Sequence, residues 1–466
     1  MDGFEKRKFI SQGTVTVNGV PIQYEAVTEE FPVYGKSGGL DANVFTFSYL
    51  RSDLDDVNGR PVLFAWNGGP GAVSMYVHMG LLAPMKVKCG AGSDMPQTAP
   101  FELINNDNCL LDVCDVVSID AIGTGWSRLI NTEAKAQYAS TQTDADVFAM
   151  IIRLWLTEHQ RWNSPIYVMG ESYGTIRTAV VAESMFYSPS ADSAGVPLHL
   201  SGIINLGSCI NHQQDPFPIP NAVLSLPSIA AAHWYWHPEG KGTLREFVDE
   251  CDQFCYEEYV RALAMGSRLP EDQKRVVAEK LRRYTGYSIE KLLEDKLVVD
   301  VFEYPAKGMA DEGRSIGIYD ARFALDKYEH PEKYDFFCDD ASNAIVFPAF
   351  SAAFLGLWKA QLNIPINEDY IFEWNEGEKN WNYTTTTPAV KCLENAMHRN
   401  PKMKVMFGMG YYDMLTTPGW VRYLVSHYSL PSDRVYLNYY EAGHMPYIGE
   451  RQAAQLQADI KEFIKK

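Results

Sequence analysis

Hydrophobic and polar positions alternate at the start of the chain, and then the alternation stops. Residues 14–17 (TVTV) and 20–27 (VPIQYEAV) carry an apolar side chain at every second position and flank Asn18-Gly19. That pair favours a type I′ turn, so a β-hairpin is predicted there. NVFTFSYLR (43–51) is a third strand candidate. Further on the apolar runs become nearly continuous: PVLFAW (61–66), VCDVVSID (113–120), PIYVMG (165–170), HLSGIINLG (199–207), KMKVMFGMG (402–410) and RVYLNYY (434–440). A strand without polar alternation is one covered on both faces. Between the runs lie helical patterns, DADVFAMIIRLWLTEH (144–159), with Thr143 and Asp146 at capping-box-like spacing, and TIRTAVVAESMFY (175–187). Strands alternating with helices predict an α/β fold, a mostly parallel central sheet covered by helices.

The rhythm breaks between about 211 and 390. LREFVDECDQFCYEEYVRALAM (244–265) and EDQKRVVAEKLRRY (271–284) are charged and helical in period, and DPFPIPN (215–221) and WNYTTTTP (381–388) bracket the region. The expected organisation is a first core segment at 1–210, an inserted mainly helical cap at 211–390, and a second core segment at 391–466.

The 466 residues are 46% hydrophobic and 13% aromatic, values of a globular chain. The net charge of -18 argues against nucleic acid or an anionic membrane as partner, since both need a basic face. The opening MDGFEKRKFISQGT has no apolar segment after its basic residues, and no stretch reaches the roughly 18 consecutive apolar residues of a membrane span. A soluble, cytoplasmic protein is expected. The eight cysteines have no zinc-like spacing and read as mostly buried, reduced thiols, including Cys251 and Cys255, four apart in a helical stretch. No metal or other cofactor is expected.

The run PIYVMG leads through Glu171-Ser172-Tyr173-Gly174 into a helix, which is G-x-S-x-G between strand and helix. A Ser at such a tip is forced into strained backbone angles. Its neighbours two before and two after must be tiny, because strand and helix touch there; Gly170 and Gly174 meet that need. Ser172 is therefore the candidate nucleophile. In hydrolases of this build the acid and then the base follow the nucleophile along the chain. His199, His212, His233, His237 and His330 precede the late core strands or fall in the insert, and His427 lies in a helical stretch. His444 follows the strand RVYLNYY through Glu441-Ala442-Gly443, where a base is needed. Asp413 is the first carboxylate after KMKVMFGMG; it would hold the His444 tautomer, or else serve as a turn or capping residue before Pro418. One oxyanion donor would be the N–H of Tyr173. The other would come from the loop Asn67-Gly68-Gly69-Pro70-Gly71, which lacks the Gly-Lys-Ser/Thr of a phosphate loop and could also be a plain turn.

WNGGPG (66–71), SIDAIGTGWS (118–127), GESYG (170–174), GYYD (410–413) and AGHM (442–445) together resemble the ordered motifs of the serine carboxypeptidases. The resemblance implies an α/β-hydrolase fold with a helical cap, and removal of single C-terminal residues from a peptide substrate through an acyl-enzyme. By motif it puts the triad on Ser172, Asp413 and His444, and the oxyanion donors on Gly69 and Tyr173. It puts recognition of the substrate carboxylate on Asn67 and Glu171. Because a Glu holds a second carboxylate only by sharing a proton, it also implies a preference for acidic pH. Three positions depart from the family pattern: Leu81 stands where many relatives have a second Glu, Ala72 where many have a Cys, and Trp66-Asn67 shortens the usual Trp-x-Asn. Acyl transfer to an alcohol or ester hydrolysis by the same triad, and a non-catalytic binding role, are the competing readings.

Overall fold

The computed structural model describes residues 4–186, 196–210, 219–326 and 339–466. Tyr187, His212, residues 215–218, His330 and Cys338 of the sequence reading lie outside the described residues. The opening hairpin is longer than its alternation suggests: β1 (Lys8–Val17) and β2 (Val20–Tyr34) pair antiparallel from Lys8↔Glu29 to Val17↔Val20. Asn18 and Gly19 take φ of 50° and 80°, as the predicted turn requires. β3 (Leu40–Arg51) pairs antiparallel with β2. The apolar runs supply β4 (Val62–Trp66), β5 (Asp115–Ile119), β6 (Ile166–Glu171), β7 (Gly202–Leu206), β8 (Lys404–Gly410) and β9 (Val435–Tyr440). Across the sheet the order is β1-β2-β3-β5-β4-β6-β7-β8-β9, parallel from β5 onward, with a short strand at 128–129 beside β3.

β4 shows why the alternation vanishes. Val62, Phe64 and Trp66 enter one core layer, where helix α1 (Thr141–Glu158) sets Trp155 edge-on to Phe64 at 5.2 Å and Phe148 edge-on to Trp66 at 4.9 Å. Leu63 and Ala65 enter the opposite layer. With both faces dry, every position of the strand is apolar. β9 reads as apolar too but differs in place. It is the edge strand, Tyr440 alone among its residues is buried, and Leu437 is exposed.

α1 starts earlier than its periodicity predicts. Ser140 is the N-cap, its hydroxyl accepting from the Thr143 N–H at 3.2 Å, so the Thr143–Asp146 box is not used. This start turns Asp144 inward to Arg177 of helix α2 (Tyr173–Phe186), 2.7 Å away. Arg177 also donates to the Asn67 carbonyl at 2.8 Å, tying the loop after β4 to the helix after β6.

Between β7 and β8 the described residues add no strand to the main sheet. Helices α3 (Asn221–Trp236), α4 (Leu244–Phe254) and α5 (Glu271–Thr285) share their own hydrophobic cluster, which Tyr412 and Met414, just past β8, join. The later part of the insert packs differently. Helix α6 (Ala341–Ala353) continues to Gln361 as a run long and apolar enough for a membrane span, but Val346, Phe350 and Phe354 are buried in the main core. Trp358 Nε1 donates to Tyr49 Oη at 2.9 Å. The chain then passes the ends of β5 and β4, where Ile371 bridges to Gly125 and Glu373 to Ala72. The seven cysteines among the described residues are free thiols, all buried except the partly exposed Cys209.

Candidate active site

Strand β6 ends at Glu171 and α2 begins at Tyr173, leaving Ser172 alone on the turn with φ of 58°. That is the left-handed region, costly for a residue with a Cβ and tolerated only where the surroundings enforce it. The surroundings are visible. A Cβ on Gly170 would lie 2.1 Å from the Gly174 carbonyl oxygen, and one on Gly174 would lie 2.8 Å from that of Asn67. A Cβ on Gly68 would lie 2.6 Å from the Tyr173 nitrogen. Gly170 thus lets strand and helix close within the turn after β6, and Gly68 and Gly174 let the loop after β4 close on that turn. Gly170→Ala is expected to cost about 3 kcal/mol or more, because the clash is with backbone rather than a movable side chain. A thermal melt of that variant matching the unsubstituted protein would contradict this contact.

His444 and Asp413 meet from two other strand ends. Asp413, three residues past β8, is fully buried; its Oδ1 accepts from the N–H groups of Leu415 (2.9 Å) and Thr416 (2.8 Å). Its Oδ2 accepts from the Thr416 hydroxyl at 2.5 Å and pairs with His444 Nδ1 at 2.9 Å. The loop carrying His444 is fixed by its backbone. The His444 N–H donates to the Tyr319 carbonyl at 2.6 Å, and the Tyr319 ring stands edge-on to the imidazole at 5.3 Å. Arg322, paired with Asp320, donates to the carbonyls of Glu441 (2.9 Å) and Ile448 (3.0 Å). Burial disfavours the imidazolium, but the Asp413 charge and hydrogen bond, with the Glu171 charge, outweigh it and raise the His444 pKa above its ordinary value.

His444 Nε2 is buried without a hydrogen-bond partner. Ser172 Oγ does not fill that place; it sits 3.9 Å from Cys209 Sγ, a long contact. Both Ser172 and His444 line one cavity, with Asn67, Gly68, Gly69, Glu171, Tyr319, Phe347, Glu373 and Glu378 among its walls. A rotamer change at Ser172 would carry Oγ away from Cys209 without moving the backbone. Burial pushes the Cys209 thiol up to about 12, so the thiolate that would compete as a nucleophile is suppressed at neutral pH.

The other sequence-predicted residues fall around the same cavity. Gly69 has φ of 102° and lines it, while the Tyr173 N–H opens α2 and has no carbonyl in its own helix to bond. Asn67 Nδ2 donates to Glu171 Oε1 at 2.6 Å, and Asn67 Oδ1 accepts from the Val77 N–H at 2.9 Å, so the amide cannot flip. Glu171 is 4% exposed, and its Oε2 has no hydrogen-bond partner. Burial pushes the Glu171 carboxyl up to about 7, against the opposing pull of His444, Tyr447 and Asn67. Leu81, at the position of the missing second Glu, is fully buried and contributes only its carbonyl, to Asn106 and Gln457.

Several groups at the site escape a reading by sequence. The Thr416 hydroxyl sits 2.9 Å from His444 Nδ1 as well as on Asp413, and the spacing Asp413-x-x-Thr416 is the one available hint of its turn. Tyr319, Phe347, Glu373 and Glu378 come from the insert, where helical periodicity says nothing about which residues overlook a distant sheet edge.

A model of the family described as serine carboxypeptidase matches residues 36–463. No match is found among curated protein sequences. Among solved structures, the chain is similar to Kex1(delta)p, a prohormone-processing carboxypeptidase from Saccharomyces cerevisiae, with a TM-score of 0.54 and 13% identity over 97% of this chain and 94% of that one. A highly thermostable carboxyl esterase from Bacillus coagulans aligns with a TM-score of 0.39 and 13% identity over 94% of this chain and 98% of that one. The fold is that of the α/β-hydrolases, a mostly parallel sheet with flanking helices.

Proposed function

The chain belongs to the serine carboxypeptidase family, and on that premise we propose that it is a serine hydrolase releasing C-terminal residues from peptides. The observation carrying this reading is the pairing of His444 Nδ1 with Asp413 at 2.9 Å, while Nε2 stays bare in the cavity that Ser172 also lines. A base so held has one nitrogen oriented and the other ready to receive a proton.

In this mechanism Ser172 Oγ attacks the last peptide carbonyl as His444 Nε2 takes its proton. The carbonyl oxygen becomes an oxyanion held by the N–H groups of Gly69 and Tyr173, at the positive end of α2. His444 then gives the proton to the leaving amine, the C–N bond breaks, and an acyl-enzyme on Ser172 remains. Water repeats the sequence and frees Ser172. The departing residue carries the terminal carboxylate, which Asn67 and protonated Glu171 receive. Mass spectrometry of a peptide mixture tests this directly: loss of one residue at a time from the C-terminus is expected, and cleavage at internal bonds only would sink it.

The pH dependence has a definite sign. Glu171 holds a carboxylate when protonated, so peptide cleavage should fall as pH rises through about 7. His444 must be neutral to accept a proton. The Glu171 charge is one cause of its raised pKa, and that part disappears when Glu171 is protonated. The charged and titratable groups facing Glu171 are His444 with Asp413 behind it, Tyr447 and Tyr76. An ester with the same acyl group but no terminal carboxylate should lack the fall. Glu171→Gln is expected to remove the fall for peptides and to raise their KM several-fold, leaving the ester unchanged. Equal effects on both substrates, read as kcat/KM against pH, would make Glu171 structural only.

A further inference from the structure

Two buried polar atoms with no hydrogen-bond partner, Glu171 Oε2 at the cavity wall and the hydroxyl of Tyr447, belong to side chains that interact with each other. Tyr447 is 1% exposed, and its phenol lies within interaction range of the Glu171 carboxyl and the Asn67 amide. Buried polar atoms without partners are rare, because each one forfeits its hydration without return. Two such atoms on interacting side chains can complete each other's hydrogen bonding when the site fills or changes its proton content.

The position of Tyr447 is built in from two directions. It stands three residues after His444, in the loop whose carbonyls Arg322 anchors, at Glu441 and Ile448. Its ring occupies a slot left open by Gly80, where a Cβ would come within 2.5 Å of the ring. The neighbouring Leu81 turns into the core and offers no polar side chain. The helical turn His78–Leu82 thus supplies space, and the Tyr447 ring fills it.

We infer that Tyr447 is a positioning residue for the substrate's terminal carboxylate, its hydroxyl serving as the hydrogen-bond partner of Glu171 Oε2 and so fixing the rotamer and proton content of that acid. This rests on the reading of Asn67 and Glu171 as the carboxylate site. When Glu171 is ionised, the hydroxyl donates to Oε2 and stabilises the charge. When Glu171 is protonated, Oε2–H is free to bridge to an incoming carboxylate. The phenol itself stays protonated throughout, since burial and then the Glu171 charge hold it well above its usual range. The other groups facing Glu171 are Asn67 and Tyr76 from the segment after β4, His444 from the loop after β9, and Asp413 behind it.

The experiment measures binding rather than turnover. In the full chain carrying Ser172→Ala, an N-blocked dipeptide acid and its C-terminal amide are titrated from about pH 5 to pH 9. The acid should bind more tightly than the amide at low pH and lose that advantage through the Glu171 midpoint. Adding Tyr447→Phe removes a donor to the ionised form, so the midpoint should move up by about one pH unit. At mildly alkaline pH the double variant should then prefer the acid more than Ser172→Ala alone does, an outcome that simple damage would not produce. Amide binding should not change, because the Phe ring still fills the slot. Gly80→Ala, which displaces the ring, should shift the midpoint in the same direction. An unmoved or lowered midpoint in the Tyr447→Phe variant, or equal losses for acid and amide, overturns the role of Tyr447 while the carboxylate site stands. No preference for the acid at any pH in Ser172→Ala overturns both.

Discussion

Replacing His444 by Ala is expected to lower kcat by roughly 10⁵ to 10⁶ with a change of only a few degrees in the melting temperature. The size follows from the way a base and its nucleophile act as one unit: without the base the hydroxyl of Ser172 is almost never an alkoxide, and losing either member costs about as much as losing both. The survival of the fold follows from what holds the loop. The His444 N–H, rather than its ring, bonds the Tyr319 carbonyl, and Tyr412 donates its N–H to the Ala442 carbonyl at 3.0 Å. Arg322 grips two further carbonyls on either side. Removing the imidazole leaves a cavity and takes one of four partners from Asp413, which keeps the N–H groups of Leu415 and Thr416 and the Thr416 hydroxyl. That should cost about 1–3 kcal/mol, short of unfolding a domain of this size. Labelling of Ser172 by a fluorophosphonate should slow in parallel with turnover. His427→Ala, in the helix Pro418–His427, serves as the comparison and should leave both unchanged. Turnover of the His444 variant within about tenfold of the parent would mean that another group carries the proton.

What the sequence makes legible at this site depends on how locally each constraint acts. Gly170 and Ser172 are readable because the sterics that demand them lie within one turn, a Cβ on Gly170 falling 2.1 Å from the Gly174 carbonyl oxygen, whereas Gly174 follows from the motif and the contact that demands it, 2.8 Å to the Asn67 carbonyl, comes from far along the chain. Asp413 and His444 are readable because each follows an apolar run at the same end of the sheet, and parallel strands deliver their ends to one edge. Tyr319 and Glu373 are not readable, because they reach the site from a connection of nearly two hundred residues between β7 and β8, whose helices obey the packing of their own cluster. The packing within the insert is hidden for a related reason. Residues 341–374 are the more apolar of the two stretches, yet that does not say that they pack under the main sheet while residues around 221–318 close on themselves. Nothing in a periodic pattern names the partner of an apolar face. The start of α1 fails locally instead: Ser140 and Thr143 are both competent caps, and burial of Asp144 against Arg177, a tertiary contact, selects Ser140.

The same buried network sets the outcome of Asp413→Asn, the second large effect expected. The substitution keeps size and shape, so the fold should persist, but it changes what each atom can offer. Oδ1 of Asp413 accepts two backbone N–H groups, so the amide oxygen must take that side, since an NH₂ there would face two donors. The NH₂ then points at the Thr416 hydroxyl and at His444 Nδ1, 2.5 and 2.9 Å away in the parent. Nδ1 can meet a donor only by giving up its own proton, which places the ring hydrogen on Nε2. In that tautomer the nitrogen facing Ser172 already carries a proton and cannot accept another, and no carboxylate remains to stabilise the imidazolium. A fall in kcat of about 10⁴ is expected at neutral pH. It should lessen at high pH, where hydroxide can take the proton from Ser172 without His444. Nuclear magnetic resonance of the imidazole nitrogens supplies the independent check: the ring proton sits on Nδ1 in the parent and should move to Nε2 in the variant. A large loss of activity with the tautomer unchanged would assign Asp413 a purely electrostatic part, and full activity with the tautomer reversed would remove it from the reaction.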